Sequence, residues 1–397
     1  MIVRNYIECG TCSEKHTLRI QVGYSSYQEH TFSCSQCAEN IVVGMHCDQS
    51  NGTVALDLKE NVRRGSGEGE IIYLSSEFPV HKDQMNQELA FPALSHMKMM
   101  FDMLRDQGVD ITSDEAYSDL KKRADQTAND EDNWKFIKKG WSLTSKGRLA
   151  LAEKQLQNYK AYDFDGPYEL SPLLFDFSAS LLQPNKYDLF AVAADALGSI
   201  KSAHPAEYAR FVSYYKTSLQ EEHLDRYFSI FSEYFKCHDD LRQTAMSIRA
   251  NMQLPEDYVA SSTNFPNTKL FFGNTFESLT SNLTVLACLN NIRLGRKFDE
   301  FASMDIKKYL TINKANRANP FSEFSEFSEI TDCFDSTLRN ASHHGSMRID
   351  GAGRKITYRS GGTGAHKEMS YCEYLNKCNR IFISACALLK LEILIAF

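Results

Sequence analysis

The sequence lacks several patterns that would place it in a common functional class. No stretch matches G-x-x-x-x-G-K-[ST], so no phosphate-binding P-loop is predicted. No uninterrupted apolar run reaches the roughly 20 residues of a membrane-spanning helix. The apolar segment 381–397 contains Lys390 and Glu392, which favours a buried closing helix and no membrane association. Near the start, Arg4 precedes a polar, cysteine-bearing segment with no secretion signal, so we expect a cytoplasmic protein.

Positive charge is also scarce. The 397 residues include 44 Lys and Arg against 51 Asp and Glu, a net charge of -7, which argues against a general nucleic-acid coat. The segment 339–380 is the exception, with eight basic residues against three acidic ones, so a local site for phosphate is allowed. A chain of this length with 43% hydrophobic residues can build two or three ordinary globular domains.

Cysteine is plentiful, and four of the 11 cysteines form a metal-binding pattern. Two C-x-x-C pairs lie 21 residues apart and consist of Cys9, Cys12, Cys34 and Cys37. In a reducing compartment such pairs more often bind zinc than form disulfides. Four thiolates complete a tetrahedral sphere and leave no open position, so we expect a structural zinc in a ribbon of short strands. His46 and Cys47 are spare candidate ligands.

With six basic and seven acidic residues in 1–65, the ribbon has no basic surface, and we expect it to recognise a partner or substrate.

The middle of the chain reads as helical. Pro205 is typical of a first helical turn, and aromatic residues behind it recur at helical spacing, which favours core packing over a base-stacking surface. The acidic, polar stretch 127–133 predicts an exposed loop. No repeat or cofactor motif is present in this region. We divide the chain into a ribbon with its following strands (1–80), a helical middle domain (81–262) and a C-terminal helical domain (263–397).

The C-terminal domain contains the strongest functional pattern. Apolar residues fall every three or four positions and predict one amphipathic helix over 321–344, which Gly345 ends. Arg339 and His343 are then one turn apart, as are Asn340 and His344. A second helix over 272–294 is expected to pack against this motif helix. The four residues 370–373 form a capping box that opens the last helix.

The residues Arg339, Asn340 and His344 resemble the R-N-x-x-x-H motif of the HEPN ribonuclease superfamily. The resemblance covers about the last third of the chain. It implies a helical bundle, a homodimer formed through the C-terminal domain, and metal-independent cleavage of RNA, with tRNA as one candidate substrate. It also implies a bacterial antiphage or toxin effector that a protein trigger or inhibitor controls. The motif spacing selects His344 as the catalytic histidine, whereas His343 shares a helix face with Arg339 and is the alternative.

The chemistry of these side chains is suited to RNA cleavage. A histidine transfers protons near neutral pH, and a guanidinium holds phosphoryl oxygens with paired donors. Asn340 would orient the histidine or bind a phosphate oxygen. The 2′-hydroxyl would attack the adjacent phosphorus, giving 2′,3′-cyclic phosphate and 5′-hydroxyl ends. Alternatively, Arg339 pairs with Asp335 and the histidines only cap a helix C-terminus.

The predicted fold class is therefore mainly α, with a small β zinc ribbon at the N-terminus, a helical middle domain and a C-terminal HEPN-like helical bundle. The alternative function is a non-catalytic binding module. In that case the ribbon recognises a protein or nucleic acid and the HEPN-like part serves only dimerisation.

Overall fold

Small sheets at the N-terminus and helices elsewhere make up a mainly α protein, as predicted. The computed structural model describes residues 2–23, 25–48, 50–85, 87, 90–106, 114–160, 164–261, 264–343, 345–350, 355–359 and 364–396, with the backbone alone at 100, 103, 104, 106 and 114–128.

Seven strands form two small sheets near the N-terminus. They are β1 (Ile2–Cys9), β2 (Lys15–Gln21), β3 (Tyr27–Ser33), β4 (Asn40–Asp48), β5 (Thr53–Glu60), β6 (Val62–Arg64) and β7 (Glu70–Leu74). One sheet has the order β6-β1-β2-β7, with β7 parallel to β2, and the other is the antiparallel β3-β4-β5. Strand β3 alternates buried and more exposed residues, the period of two that one-sided strands require. Their buried residues form a core of their own.

Helices dominate the rest of the described chain. They are α1 (Lys82–Met85), α2 (Pro92–Asp106), α3 (Asp114–Thr144), α4 (Leu149–Leu156), α5 (Leu170–Leu182), α6 (Tyr187–Ala203), α7 (Pro205–Ser218), α8 (Gln220–Lys236), α9 (His238–Arg249), α10 (Phe265–Asn282), α11 (Thr284–Arg293), α12 (Ile306–Tyr309), α13 (Ser325–Ser328), α14 (Ser336–His343) and α15 (Tyr371–Ala396). The remaining strands are β8 (Val80–His81), β9 (Tyr258–Val259), β10 (Arg348–Ile349), β11 (Lys355–Arg359) and β12 (His366–Ser370).

A short β pairing joins the N-terminal sheets to the helices. Strand β8 pairs with β9, and the backbone N–H of Ser75 donates to Ser261 Oγ at 2.6 Å. Ser261 Oγ in turn donates to the carbonyl of Ser75 at 2.9 Å. These reciprocal bonds fix the end of β7 against the segment that leads into α10.

Helix α15 forms the centre of the helical core. The Ser370 side chain accepts from the backbone N–H of Glu373 at 3.0 Å, which confirms the serine half of the predicted capping box. Its buried Glu392 accepts hydrogen bonds from Tyr227 at 2.7 Å, Tyr215 at 2.8 Å and His223 at 2.9 Å. One buried cluster runs from residue 134 to residue 396, so helices on both sides of the predicted boundary at 262 share a core. Among the described residues, no helix is both long and apolar enough to cross a membrane.

The amino group of Lys390 in α15 is buried among aromatic side chains. It is 1% exposed, its Nζ donates to the carbonyl of Phe175 at 3.1 Å, and the ring centroids of Phe175 and Phe190 lie 2.9 and 4.8 Å away. Burial lowers the pKa of Lys390 to about 7, against a smaller opposing effect of Asp176.

We expect Lys390→Met to be more stable than the wild type at pH 7, with an advantage that shrinks as pH rises. Above pH 7 the unfolded lysine binds more protons than the folded one, so the free energy of unfolding of the wild type rises relative to the variant. The rise is about 1 kcal/mol between pH 7 and pH 8 and approaches about 1.4 kcal/mol per pH unit at higher pH. Denaturant unfolding of both proteins at pH 6, 7 and 8 measures the difference. A constant difference across these values contradicts the buried charge.

The prediction of an exposed loop at 127–133 is wrong, because α3 runs through this segment without a break. Asp130 is buried with a carboxylate oxygen 3.6 Å from Arg249, and Asn133 donates to the carbonyl of Lys160 at 2.9 Å. Burial raises the pKa of Asp130 to about 6, and Arg249 limits the rise. Polar residues enter the core here because partners distant in sequence satisfy them.

The prediction of one long helix over 321–344 is also wrong. The segment consists of 3₁₀ turns at Asn319–Phe321 and Glu329–Thr331, the short α13, and then α14. Phe321, Phe327 and Ile330 are nevertheless buried, and each belongs to a different turn or short helix of this segment. A new helix begins at Ser336, where Asp335 Oδ1 accepts the backbone N–H of Leu338 at 2.9 Å.

Candidate functional site

Two matching turns bring the four cysteines together. In each turn the first cysteine, Cys9 or Cys34, donates its N–H to the carbonyl five residues later and accepts from the N–H four residues later. The residues that follow the second cysteines, Ser13 and Ala38, have φ values of +62° and +60°. This left-handed backbone turns the chain back so that both thiols of a pair point to the same side.

The four sulfur atoms have the spacing that one tetrahedral ion needs. All lie within 4.8 Å of one another, with Cys9 and Cys37 Sγ 3.7 Å apart and Cys12 and Cys34 Sγ 3.6 Å apart. A zinc–sulfur bond of about 2.3 Å places the sulfurs of a tetrahedral site about 3.8 Å apart. The cysteines therefore fit a metal ion, consistent with zinc.

Other polar groups surround this cluster. His16 is fully buried with Nε2 3.4 Å from Cys34 Sγ, and Asn61 Nδ2 lies 3.7 Å from Cys9 Sγ. Burial lowers the pKa of His16, which favours the neutral imidazole. Burial raises the pKa of Cys9, but hydrogen bonds from the backbone of Cys12 and Thr11 have a larger opposite effect. The resulting pKa of Cys9 is about 7. No spacing rule in the sequence identifies His16 or Asn61.

Cys47 and His46 lie outside this cluster, whose members are the four cysteines of the two pairs. Cys47 is a buried thiol whose pKa burial raises. His46 packs against Tyr27, with ring centroids 4.7 Å apart.

Helix α14 holds three of the four predicted catalytic residues. Leu338, Ala341 and Ser342 are buried, whereas Arg339 and Asn340 are partly exposed and His343 is exposed. The helix ends as predicted, and Gly345 has φ +65°. Arg339 and His343 are one turn apart on the same face. His344, the histidine that the motif spacing selects, lies outside the described residues.

The guanidinium of Arg339 is held from two sides. Its Nη2 forms an ion pair with Glu277 Oε1 of α10, and its Nη1 donates to Asn340 Oδ1 at 2.6 Å. The third donor, Nε, is buried and without a partner among the described residues. The predicted alternative, a pair between Arg339 and Asp335, is wrong. Besides capping α14, Asp335 has a carboxylate oxygen 3.6 Å from Lys377 Nζ.

Glu277 is the residue of this site that sequence reasoning missed. The helix around it was predicted from its apolar positions, and nothing in that periodicity singles out a glutamate on the other face. The expectation that this segment packs against the motif helix is confirmed, because Ser342 Oγ of α14 donates to the carbonyl of Lys269 in α10. The predicted helix over 272–294 is two helices, α10 and α11, which meet at Leu283.

Gly273 allows the two helices to approach closely. A Cβ on this residue would lie 2.8 Å from Ser342 Oγ and 2.9 Å from His343 Nε2. We therefore expect Gly273→Ala to push aside the Ser342 hydroxyl, which bonds to the carbonyl of Lys269, and the His343 ring. This crowding should outweigh the helix propensity gained from alanine and lower the free energy of unfolding by about 1–2 kcal/mol.

Gly198→Ala in α6 is the matched control for Gly273→Ala. A Cβ on Gly198 has no neighbour within 4 Å, so the alanine should stabilise the helix by up to about 1 kcal/mol. Thermal unfolding of both variants measures the contrast. A gain in stability for both would contradict the close approach of α10 and α14.

A basic hairpin follows the motif helix. Strands β10, β11 and β12 form an antiparallel sheet, in which the predicted strand at 355–358 is confirmed as part of β11. Arg348, Lys355 and Lys367 are exposed, and Lys355 pairs with Glu368 at 3.1 Å. The predicted mobile loop at 361–364 lies outside the described residues except for Gly364.

A cavity of about 470 Å³ lies apart from both sites. One face of α6, from Val192 to Ala203, lines it together with His204, Arg293, Phe324 and Glu326. None of the predicted catalytic or metal-binding residues that the structure describes lines this cavity.

No known protein-family model, curated protein or solved structure matches this chain. The resemblance to HEPN ribonucleases therefore rests on the residues of the motif alone.

Proposed function

We propose that this protein is a metal-independent endoribonuclease whose active site includes Arg339, Asn340 and one of two histidines. The motif spacing selects His344, and His343, which shares a helix face with Arg339, is the alternative. One observation supports this most: α14 presents Arg339 and His343 one turn apart at the surface, while neighbouring residues of the same helix are buried. The ion pair with Glu277 and the bond to Asn340 hold the guanidinium in a fixed orientation. Such fixed donors stabilise developing charge better than mobile ones.

The reaction divides between two kinds of side chain. The histidine removes the proton of the 2′-hydroxyl, the 2′-oxygen bonds to phosphorus, and the bond from phosphorus to the 5′-oxygen breaks. A second histidine gives a proton to the leaving 5′-oxygen. Arg339 donates to the non-bridging phosphate oxygens while negative charge develops on them. The products are a 2′,3′-cyclic phosphate and a 5′-hydroxyl.

A second copy of the chain would supply the second histidine. The HEPN resemblance implies an active cleft between two motifs, and His343 lies exposed at the end of α14. In this proposal the four cysteines hold a structural zinc that takes no part in the reaction. The ribbon then selects the RNA or responds to a protein trigger or inhibitor, in the manner of a bacterial antiphage or toxin effector.

One observation favours the alternative of a non-catalytic binding module. Arg339 already has an anionic partner in Glu277, which is what an arginine that only joins two helices would have. In that case the motif helix serves assembly, and the ribbon contains the recognition surface.

Incubation of the purified protein with total RNA and with tRNA tests the proposal. We expect discrete fragments with cyclic-phosphate ends in EDTA, since no step uses a metal. Because EDTA also competes for the ribbon zinc, a parallel reaction contains added zinc. Intact RNA in both reactions, and again with extract from phage-infected cells, would overturn the ribonuclease and favour the binding module.

A further inference from the structure

Residues of α14, of the 3₁₀ turn Lys314–Asn316 and of α8 contact α10 one after another along its length. His343 lies against Gly273, Arg339 pairs with Glu277, and Lys314 Nζ donates to the carbonyl of Glu277 at 3.0 Å and to Ser281 Oγ. Arg226 of α8 donates to Asn282 Oδ1 at 3.1 Å. From position 273 to position 282 a helix rises about 14 Å.

The basic side chains beside α10 outnumber the carboxylates that pair with them. Arg339 pairs with Glu277, and Arg226 pairs with Glu222. Lys314 and the neighbouring Arg317 form no ion pair with a carboxylate among the described residues. Arg317 is only 5% exposed, and it donates to the carbonyls of Leu310 and Ile312.

Lys314 lies partly buried among these cations. Burial lowers its pKa, Glu277 raises it, and the positive charges of Arg317, Arg226 and Arg339 lower it again. A partly buried ammonium without a carboxylate is costly, and an anion that enters from solvent would remove that cost. A phosphodiester supplies such an anion and accepts hydrogen bonds from several donors at once.

We propose that Lys314 and Arg226 bind a second phosphate of the RNA strand, next to the phosphate that Arg339 holds. Arg317 supports this position through its charge. The inference rests on the proposed ribonuclease and assigns its substrate as single-stranded RNA that extends beyond the cleaved phosphate. Lys314 contacts the backbone carbonyl of Glu277 and Arg339 contacts its carboxylate, so both cations lie beside the same residue of α10.

Binding of a 12-nucleotide single-stranded RNA to proteins with the His343→Ala and His344→Ala changes tests this inference without cleavage. In that background Lys314→Gln should raise the Kd about 10-fold and reduce the slope of log Kd against log salt by about 0.7, the loss of one phosphate contact. Lys314→Arg keeps the charge and should retain the slope. Lys307→Gln, an equal charge change at an exposed lysine of α12, should leave binding unchanged.

The outcomes separate this inference from the function it rests on. If the wild type cleaves RNA while Lys314→Gln binds as tightly as Lys307→Gln, the second phosphate site is wrong and the ribonuclease stands. If the wild type neither binds nor cleaves RNA, both are wrong. Thermal unfolding of Lys314→Gln shows whether a weaker affinity comes from lost folding, and rescue by Lys314→Arg identifies the charge as the cause.

Discussion

Arg339→Ala is expected to reduce RNA cleavage by about 10²–10³-fold, the usual effect of removing one preorganised donor from a charged transition state. The helix should remain folded, because Arg339 is partly exposed and Leu338 and Ala341 supply the buried contacts of α14. Arg339→Lys keeps the charge but loses the paired donors, so it should restore only part of the activity. Single-turnover cleavage with a labelled RNA measures these rates.

Replacement of the histidines distinguishes the two candidates. Loss of the proton-transfer group should reduce cleavage by about 10²–10⁴-fold, whereas loss of the other histidine should have a small effect. His343→Ala and His344→Ala therefore identify the catalytic residue when they are measured side by side.

Arg348→Ala is the matched control for the motif variants, because it removes an exposed arginine from the adjacent β10. It should change cleavage only slightly. Full activity in Arg339→Ala, with RNA fragments unchanged, would remove the motif helix from the mechanism.

The second large effect concerns the metal. We expect one zinc per chain, and loss of zinc from Cys9→Ser, Cys12→Ser, Cys34→Ser and Cys37→Ser. Structural zinc in small domains contributes apparent binding free energies of about 10–16 kcal/mol, far more than a small sheet gains from its own core. Removal of zinc should therefore unfold the N-terminal sheets. Elemental analysis and circular dichroism measure the two effects.

The helices should survive zinc removal, because their large buried cluster contains no residue of β1–β7. Unfolding should then occur in two steps, with the sheet transition at lower temperature in the chelated protein. Cys47→Ser, a buried cysteine outside the metal cluster, should keep its zinc. Zinc bound at full stoichiometry in Cys34→Ser would show that the four cysteines do not form the site.

The sequence by itself determined the features that depend on residues close together in the chain. Each C-x-x-C turn needs only hydrogen bonds within about six residues, so its spacing predicted the thiol cluster that the structure contains. The same holds for the cap at Ser370, the first-turn position of Pro205 and the end of α14 at Gly345. The placement of Arg339 and His343 on one helix face also followed from spacing alone.

Only the tertiary structure decided the partners of those residues, because helical periodicity does not identify which distant side chains will meet. Glu277 reaches Arg339 from 62 positions earlier in the chain. Lys314 contacts the carbonyl of Glu277, and Arg226 contacts Asn282 further along the same helix. Asp130 can be buried within α3 because the positive charge of Arg249 lies 3.6 Å from its carboxylate. The phenylalanines of 321–327 were predicted as a helical stripe that enters the core. Phe321 and Phe327 are buried and Phe324 is partly exposed, but the chain there forms short turns and not one helix. Whether a charged or aromatic side chain is paired, buried or exposed depends on its neighbours in space, and the fold determines those neighbours.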